Sequence, residues 1–287
     1  MDSPHSPHSP ESPPSPASPE SLHSLDSLVL HATDNGVSWI TLNRPEALNA
    51  VTWDQRERVI SLLGAASADP AVRAVVITAT GKGFCAGADL RGAATSGGER
   101  VAGDVARTIR QGAQRLIAAV LDCEKPVIAA VNGTAAGLGA HLALACDLVL
   151  AAESAKFIEV FVRRGLVPDG GGAYLLPRLV GPQRAKELMF FGDALRAADA
   201  ERMGLVNRVV ADTELTATAR QWAERLATGP TRALALTKHL VNASLDADRT
   251  AAFAAEAWAQ EINMTTHDAN EGVAGFVERR APKYRGL

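Results

Sequence analysis

Aromatic residues make up only 5% of this 287-residue chain, so Ala, Val and Leu must do most of the packing. Hydrophobic residues still reach 47%, enough to bury a sizeable core. Cysteine is scarce as well: Cys85, Cys123 and Cys146 are odd in number, widely spaced and without a CxxC pair. That argues against a disulfide framework or a zinc site and for a reducing compartment. No apolar run approaches the ~18 residues needed to span a bilayer. The N-terminal stretch lacks the basic and apolar segments of a secretory signal, so the chain reads as cytoplasmic. An excess of one charge is also missing. Net charge is -3, residues 1–27 hold four acids and no Lys or Arg, and the remainder carries +1. Neither nucleic acid nor an anionic membrane is the expected partner.

What is present falls into three stretches: 1–27, 28–195 and 196–287. The first is low-complexity Ser/Pro, too polar to offset its own ordering entropy, and reads as a disordered tail. Its three histidines, His5, His8 and His23, read as solvated. In the second, Leu28–Ala32 and Val37–Leu42 flank Asp34-Asn35-Gly36, a hairpin signal. Thr52–Ala68 predicts a helix with Thr52 as N-cap. Ala74–Thr80, Pro126–Val131 and Leu148–Ala151 predict buried strands, alternating with helices over 100–123 and 138–146. That alternation means α/β with parallel strands. From Pro182 onward the pattern is almost all helical.

Two glycine-rich loops follow predicted buried strands: Gly81-Lys82-Gly83-Phe84-Cys85-Ala86-Gly87-Ala88-Asp89 and Gly133-Thr134-Ala135-Ala136-Gly137-Leu138-Gly139. Strand, glycine-rich backbone and helix in succession present free N–H groups to an anion or a developing oxyanion. Neither loop is a P-loop, and Leu142 occupies the third glycine of a dinucleotide fingerprint, which disfavours a nicotinamide enzyme. No His/Cys/carboxylate cluster suggests a metal enzyme. Spacing alone leaves function and plain turn chemistry both open.

Together with Asn43–Ala50, the Lys125–Ala151 segment, Gly165–Gly181 and Glu271-Gly272-Val273-x-x-Phe276, these loops resemble the crotonase (enoyl-CoA hydratase/isomerase) superfamily, in unbroken order from about Leu28 to the end. The resemblance implies a ββα-superhelix core and a helical C-terminal trimerisation region, assembled as a homotrimer or a dimer of trimers. It implies an acyl-CoA thioester as substrate, with no separate cofactor. The oxyanion hole would be the backbone N–H groups of Ala88 and Leu138. Substrate contacts would fall at Ala47, Ala86, Asp89, Leu90 and Phe161, with Lys283 meeting the CoA phosphates. Leu138 stands where the family usually has Gly, which narrows the acyl pocket.

The chain departs from the family's hydratases where it matters most. Their two glutamates map to His141 and Phe161. Glu159 is two residues off, which in an extended segment keeps it on the same face as Phe161. The remaining carboxylate is Asp169 in Gly165-Leu166-Val167-Pro168-Asp169-Gly170-Gly171-Gly172. From the residues alone, Asp169 could simply cap a helix starting near Ala173. The resemblance implies instead an acting aspartate, as in family members that isomerise double bonds. His141, one turn into its helix, is expected to be neutral, either lining the pocket or acting as a second acid/base group. The expected activity is an enoyl-CoA isomerase with Asp169 as its base. The alternatives are a hydratase or lyase using His141 and Asp169, and a non-catalytic acyl-CoA binder.

Overall fold

The computed structural model describes residues 26–91 and 101–287. The expected tail therefore lies almost wholly outside the described residues, as does the first residue of the helix expected over 100–123.

Two strands, β1 (Val29–Asp34) and β2 (Val37–Leu42), pair antiparallel around Asn35 and Gly36, whose φ values are 50° and 74°. A two-residue turn with both central residues left-handed suits the strand twist, which is why Asn-Gly sits there. β2 then joins β3 (Ala74–Ala79), β5 (Val127–Val131), β7 (Leu148–Ala152) and β10 (Arg208–Val210) in a six-stranded sheet of order β1-β2-β3-β5-β7-β10. Every pairing after the first is parallel. β5 is buried along its whole length, which explains its continuous apolar run.

Helix α1 (Trp53–Ala68) opens with a capping box: Thr52 accepts from the Gln55 N–H, and Gln55 answers the Thr52 N–H. The next helical stretch is α2 (Asp104–Ile109), a π-helical turn over Arg110–Gln114, and α3 (Arg115–Leu121). The sequence predicted one uninterrupted helix there. A single wide turn leaves the apolar spacing almost unchanged and so is invisible to periodicity.

A second sheet was not anticipated. It comprises β4 (Gly83–Cys85), β6 (Thr134–Ala136), β8 (Lys156–Ile158) and β9 (Leu195–Arg196), with β4, β6 and β8 parallel. Strands of two or three residues, rich in Gly and Ala, carry no alternation to read. This small sheet ties the two glycine loops together, because β4 lies in the first and β6 in the second.

The remaining helices are α4 (Leu138–Ala145), α5 (Gly172–Val180), α6 (Pro182–Phe191), α7 (Ala197–Arg202), α8 (Leu215–Ala227), α9 (Thr231–Ser244), α10 (Arg249–Asn263) and α11 (His267–Glu278). α8 packs on the main sheet, and Lys238 of α9 reaches Asp147 at 2.9 Å. Beyond that anchor the C-terminal helices expose large apolar side chains, including Phe253, Trp258, Ile262, Phe276 and Val277. Among the described residues, no helix is long and apolar enough to cross a membrane.

Candidate active site

The first glycine loop leaves β3 and pairs with the segment before α1 through a parallel bridge between Val51 and Ala88. Val51 N–H donates to the Gly87 carbonyl at 2.8 Å, and Asp89 N–H donates to the Val51 carbonyl at 2.9 Å. In such a bridge the N–H of the residue between, Ala88, points the other way and is left for a ligand. The second donor comes from Leu138, the first residue of α4, whose N–H has no acceptor within its own helix. The loops touch directly. A Cβ on Gly87 would lie 2.9 Å from the Ala136 carbonyl oxygen and 3.7 Å from the Leu138 nitrogen. A Cβ on Gly139 would lie 2.1 Å from the Cys85 carbonyl oxygen, so only glycine lets α4 begin this close to β4. Two unpaired N–H groups, one at a helix start, therefore share one neighbourhood, an arrangement that suits an oxygen gaining negative charge.

Asp169 enters from the loop before α5. The capping role that the residues alone left open is not what the structure shows: α5 begins at Gly172 with Gly171 as N-cap, and no side chain caps it. The Asp169 carboxyl is half-buried and forms no ion pair among the described residues. Burial pushes it above the ordinary carboxylate range, while positive charge on His141 and its own backbone N–H would pull it back.

His141 lies wholly inside. Its Nε2 is 3.0 Å from Glu159 Oε2, its ring stacks on Phe161 with centroids 5.4 Å apart, and its Nδ1 is buried without a partner among the described residues. A Cβ on Gly172 would fall 2.1 Å from Nε2, so glycine at 172 is what lets that loop close over the imidazole. Glu159 is 6% exposed and held by His141. The extended segment expected there ends at Ile158 and Phe161 is helical, with φ −57° and ψ −50°, so a tight turn rather than a strand offset brings both side chains to the same ring.

The other expected contacts divide. Ala86 and Leu90 flank Ala88 in the first loop, and Ala47 ends a 3-10 turn over Pro45–Ala47 that precedes it. Asp89 is committed to arginines: hydrogen bonds from Arg91, at 2.7 Å, and then Arg44, at 3.2 Å, hold its carboxyl far below the usual range. Lys283 lies beyond α11, tied back to that helix. Its N–H donates to Glu271 at 2.8 Å, and the nearby Gly286 packs on Arg73, which precedes β3. Burial pushes the Cys85 thiol up to about 12, which removes it as a nucleophile. Among the described residues no three His, Cys, Asp or Glu side chains could hold a metal ion.

The chain is similar to known proteins along most of its length. Residues 32–286 match the family model described as enoyl-CoA hydratase/isomerase. The 1,2-epoxyphenylacetyl-CoA isomerase of Escherichia coli is 38% identical over 260 residues, covering 90% of this chain and 98% of that protein. The crotonyl-CoA hydratase of Syntrophomonas wolfei is 37% identical over 244 residues, covering 85% and 92%. The crystal structure of an enoyl-CoA hydratase from Bacillus anthracis superposes with a TM-score of 0.84 at 33% identity, covering 91% of this chain and 100% of that one. The chain belongs to the enoyl-CoA hydratase/isomerase family.

Proposed function

We propose that this protein is an enoyl-CoA isomerase that moves a double bond through a dienolate, with Asp169 as its single base. The thioester oxygen lies between the Ala88 and Leu138 N–H groups. Asp169 removes the proton flanked by the thioester carbonyl and the C=C bond of a 3-enoyl-CoA. The electron pair spreads onto the thioester oxygen, and the Asp169 proton returns two carbons further along. Coenzyme A enters as part of the substrate, and no other cofactor takes part. One observation carries this reading: both positions that the family resemblance assigns to hydratase glutamates are filled by a stacked His141–Phe161 pair, and Asp169 is a half-buried carboxylate without an ion-pair partner among the described residues. Isomerisation needs one base, whereas hydration needs a second group to position water.

A hydratase reading is favoured by the hydratase names that most similar proteins carry and by the buried His141–Glu159 pair. Product mass separates the two. Incubation with 3-enoyl-CoA should give 2-enoyl-CoA of unchanged mass. Conversion of 2-enoyl-CoA to a product heavier by one water would contradict the isomerase.

The helices over 196–287 serve assembly in this reading, as a homotrimer or a dimer of trimers. The exposed Phe253, Trp258, Phe276 and Val277 support it, being side chains that a lone soluble subunit rarely displays together. Three buried, unpaired cysteines fit a reducing, cytoplasmic setting.

A further inference from the structure

The Ser/Pro tail has an order that its composition does not require. From Asp2 it reads in triplets: Asp2-Ser3-Pro4, His5-Ser6-Pro7, His8-Ser9-Pro10, Glu11-Ser12-Pro13, Pro14-Ser15-Pro16 and Ala17-Ser18-Pro19. The frame continues unbroken as Glu20-Ser21-Leu22, His23-Ser24-Leu25 and Asp26-Ser27-Leu28, with leucine in place of proline. A stretch that only has to stay solvated needs polarity, not a serine before a proline in every triplet. Proline biases the residue before it toward extended backbone. At three residues per turn, a polyproline helix would set the six Ser-Pro hydroxyls along one side, about 9 Å apart. A repeated hydroxyl, held extended and followed by proline, suits enzymatic modification, and the proposed reaction makes no use of it.

The structure shows where this array is rooted. Asp26-Ser27-Leu28, the triplet that lies among the described residues, has its first two members exposed and its leucine half-buried. Asp26 Oδ1 is 2.6 Å from Arg58 of α1. The other anchors run toward the candidate site. Asn43 Nδ2 donates to the Ser27 carbonyl at 2.8 Å, and Gln55 Nε2 donates to the Leu28 carbonyl at 3.1 Å. Arg44, next to Asn43, donates to Gln55 Oε1 at 3.4 Å and to Asp89 at 3.2 Å. Asp89 follows Ala88, whose N–H is one of the two oxyanion donors. The tail therefore joins the body a short chain of hydrogen bonds away from the first glycine loop and its flank, where Lys82 and Arg91 are exposed. Ser18 precedes Asp26 by eight residues, a reach of up to about 25 Å at ~3.1 Å per residue.

We propose that Ser3, Ser6, Ser9, Ser12, Ser15 and Ser18 are phosphorylation sites for a proline-directed protein kinase, and that the charge they gain weakens acyl-CoA binding. In each transfer the serine Oγ attacks the γ-phosphorus of ATP, the bond from that phosphorus to the bridging oxygen breaks to release ADP, and the hydroxyl proton leaves to the kinase's base. A phosphoserine carries about −1.5 to −2 at pH 7, so the full array adds about −9 to −12. The tail already holds Asp2, Glu11, Glu20 and Asp26 and no Lys or Arg. Coenzyme A is itself polyanionic through its phosphates. A tail of that charge, rooted beside the first glycine loop, repels the ligand and competes with it for the basic side chains there. The inference rests on acyl-CoA being the ligand and not on which reaction follows.

The test uses the full-length protein. A cyclin-dependent kinase with ATP should place phosphate on the six serines, read by peptide mass spectrometry, and protein taken from its own cells should carry phosphate at the same sites. In calorimetry at about 10 mM salt, phosphorylation should raise the Kd of hexanoyl-CoA at least about 5-fold. At about 1 M salt, where the screening length falls from ~30 Å to ~3 Å, the two forms should bind alike. Hexanoyl-pantetheine has the thioester but no phosphate, and its Kd should not change. Replacing all six serines by alanine should leave hexanoyl-CoA binding at the unmodified value with or without the kinase, and replacing them by aspartate should weaken it in the same direction by less. An unchanged Kd for hexanoyl-CoA at low salt in the fully phosphorylated protein would overturn the proposal. Equal weakening for hexanoyl-pantetheine would do the same, because the cause would not be charge. So would serines that carry sugar, or nothing, in the cell. Water addition to 2-enoyl-CoA would sink the isomerase reading and leave the array standing.

Discussion

In the proposed reaction the two loops around Gly87 and Gly139 offer chemistry from their backbone, while the loop around Asp169 offers it from a side chain, and the two kinds of loop would tolerate change differently. In the first pair the useful groups are the Ala88 and Leu138 N–H donors, and the side chains they belong to are free to vary. What cannot vary is the glycine that lets the backbones meet, such as Gly139 against the Cys85 carbonyl. In the third loop Gly172 makes room for the His141 ring, and in the proposed reaction the outcome is set by which carboxylate is present. A family can therefore keep one oxyanion pocket and change its reaction by moving one or two acidic side chains.

The largest effect should come from breaking the backbone pair. Gly139→Ala places a methyl 2.1 Å from a carbonyl oxygen with no flexible side chain to yield. It is expected to lower stability by at least about 3 kcal/mol in chemical denaturation and to remove turnover by separating the donors. A well-folded, active Gly139→Ala would show that the loops do not need this approach.

The side-chain loop is sharpened by pH. Asp169 must be deprotonated to act as a base, so activity is full above its pKa and is lost as pH falls through it. Because burial raises that pKa, the acid limb of kcat/KM should lie above the ~3.9 of an ordinary aspartate, falling about tenfold per pH unit below it. A limb at or below ~3.9 would place the base elsewhere.

The smallest effect should come from Leu138→Ala. The donor is backbone and survives, so kcat on a short acyl-CoA should change by only a few-fold. The 4%-exposed Leu138 side chain is lost from the acyl space, so longer or branched acyl groups should gain in kcat/KM. A 100-fold drop on every substrate would mean the side chain, not the N–H, carries the function.

Much of this was legible in the residues. The Asn35-Gly36 turn, the Thr52 cap and the buried β3, β5 and β7 each follow from local chemistry that tertiary packing reinforces. The second sheet was not legible, because β4, β6, β8 and β9 are held by neighbours rather than by their own propensity. Ala88 and Leu138 could be named only through the resemblance to the crotonase superfamily, since glycine spacing by itself fits plain turn chemistry equally well. Removing Asp169 from a capping role required the structure, since Pro-Asp-Gly before a helix fits a cap equally well. The Glu159–His141 contact joins residues 18 apart, and no periodicity links them.

Asp169→Asn tests the central claim most directly. The substitution keeps the shape and removes the base, so it should cut kcat on 3-enoyl-CoA by about 10²–10⁴-fold while acyl-CoA binding, measured in parallel by calorimetry, stays within a few-fold of wild type. Turnover equal to wild type in Asp169→Asn would contradict the one-base account.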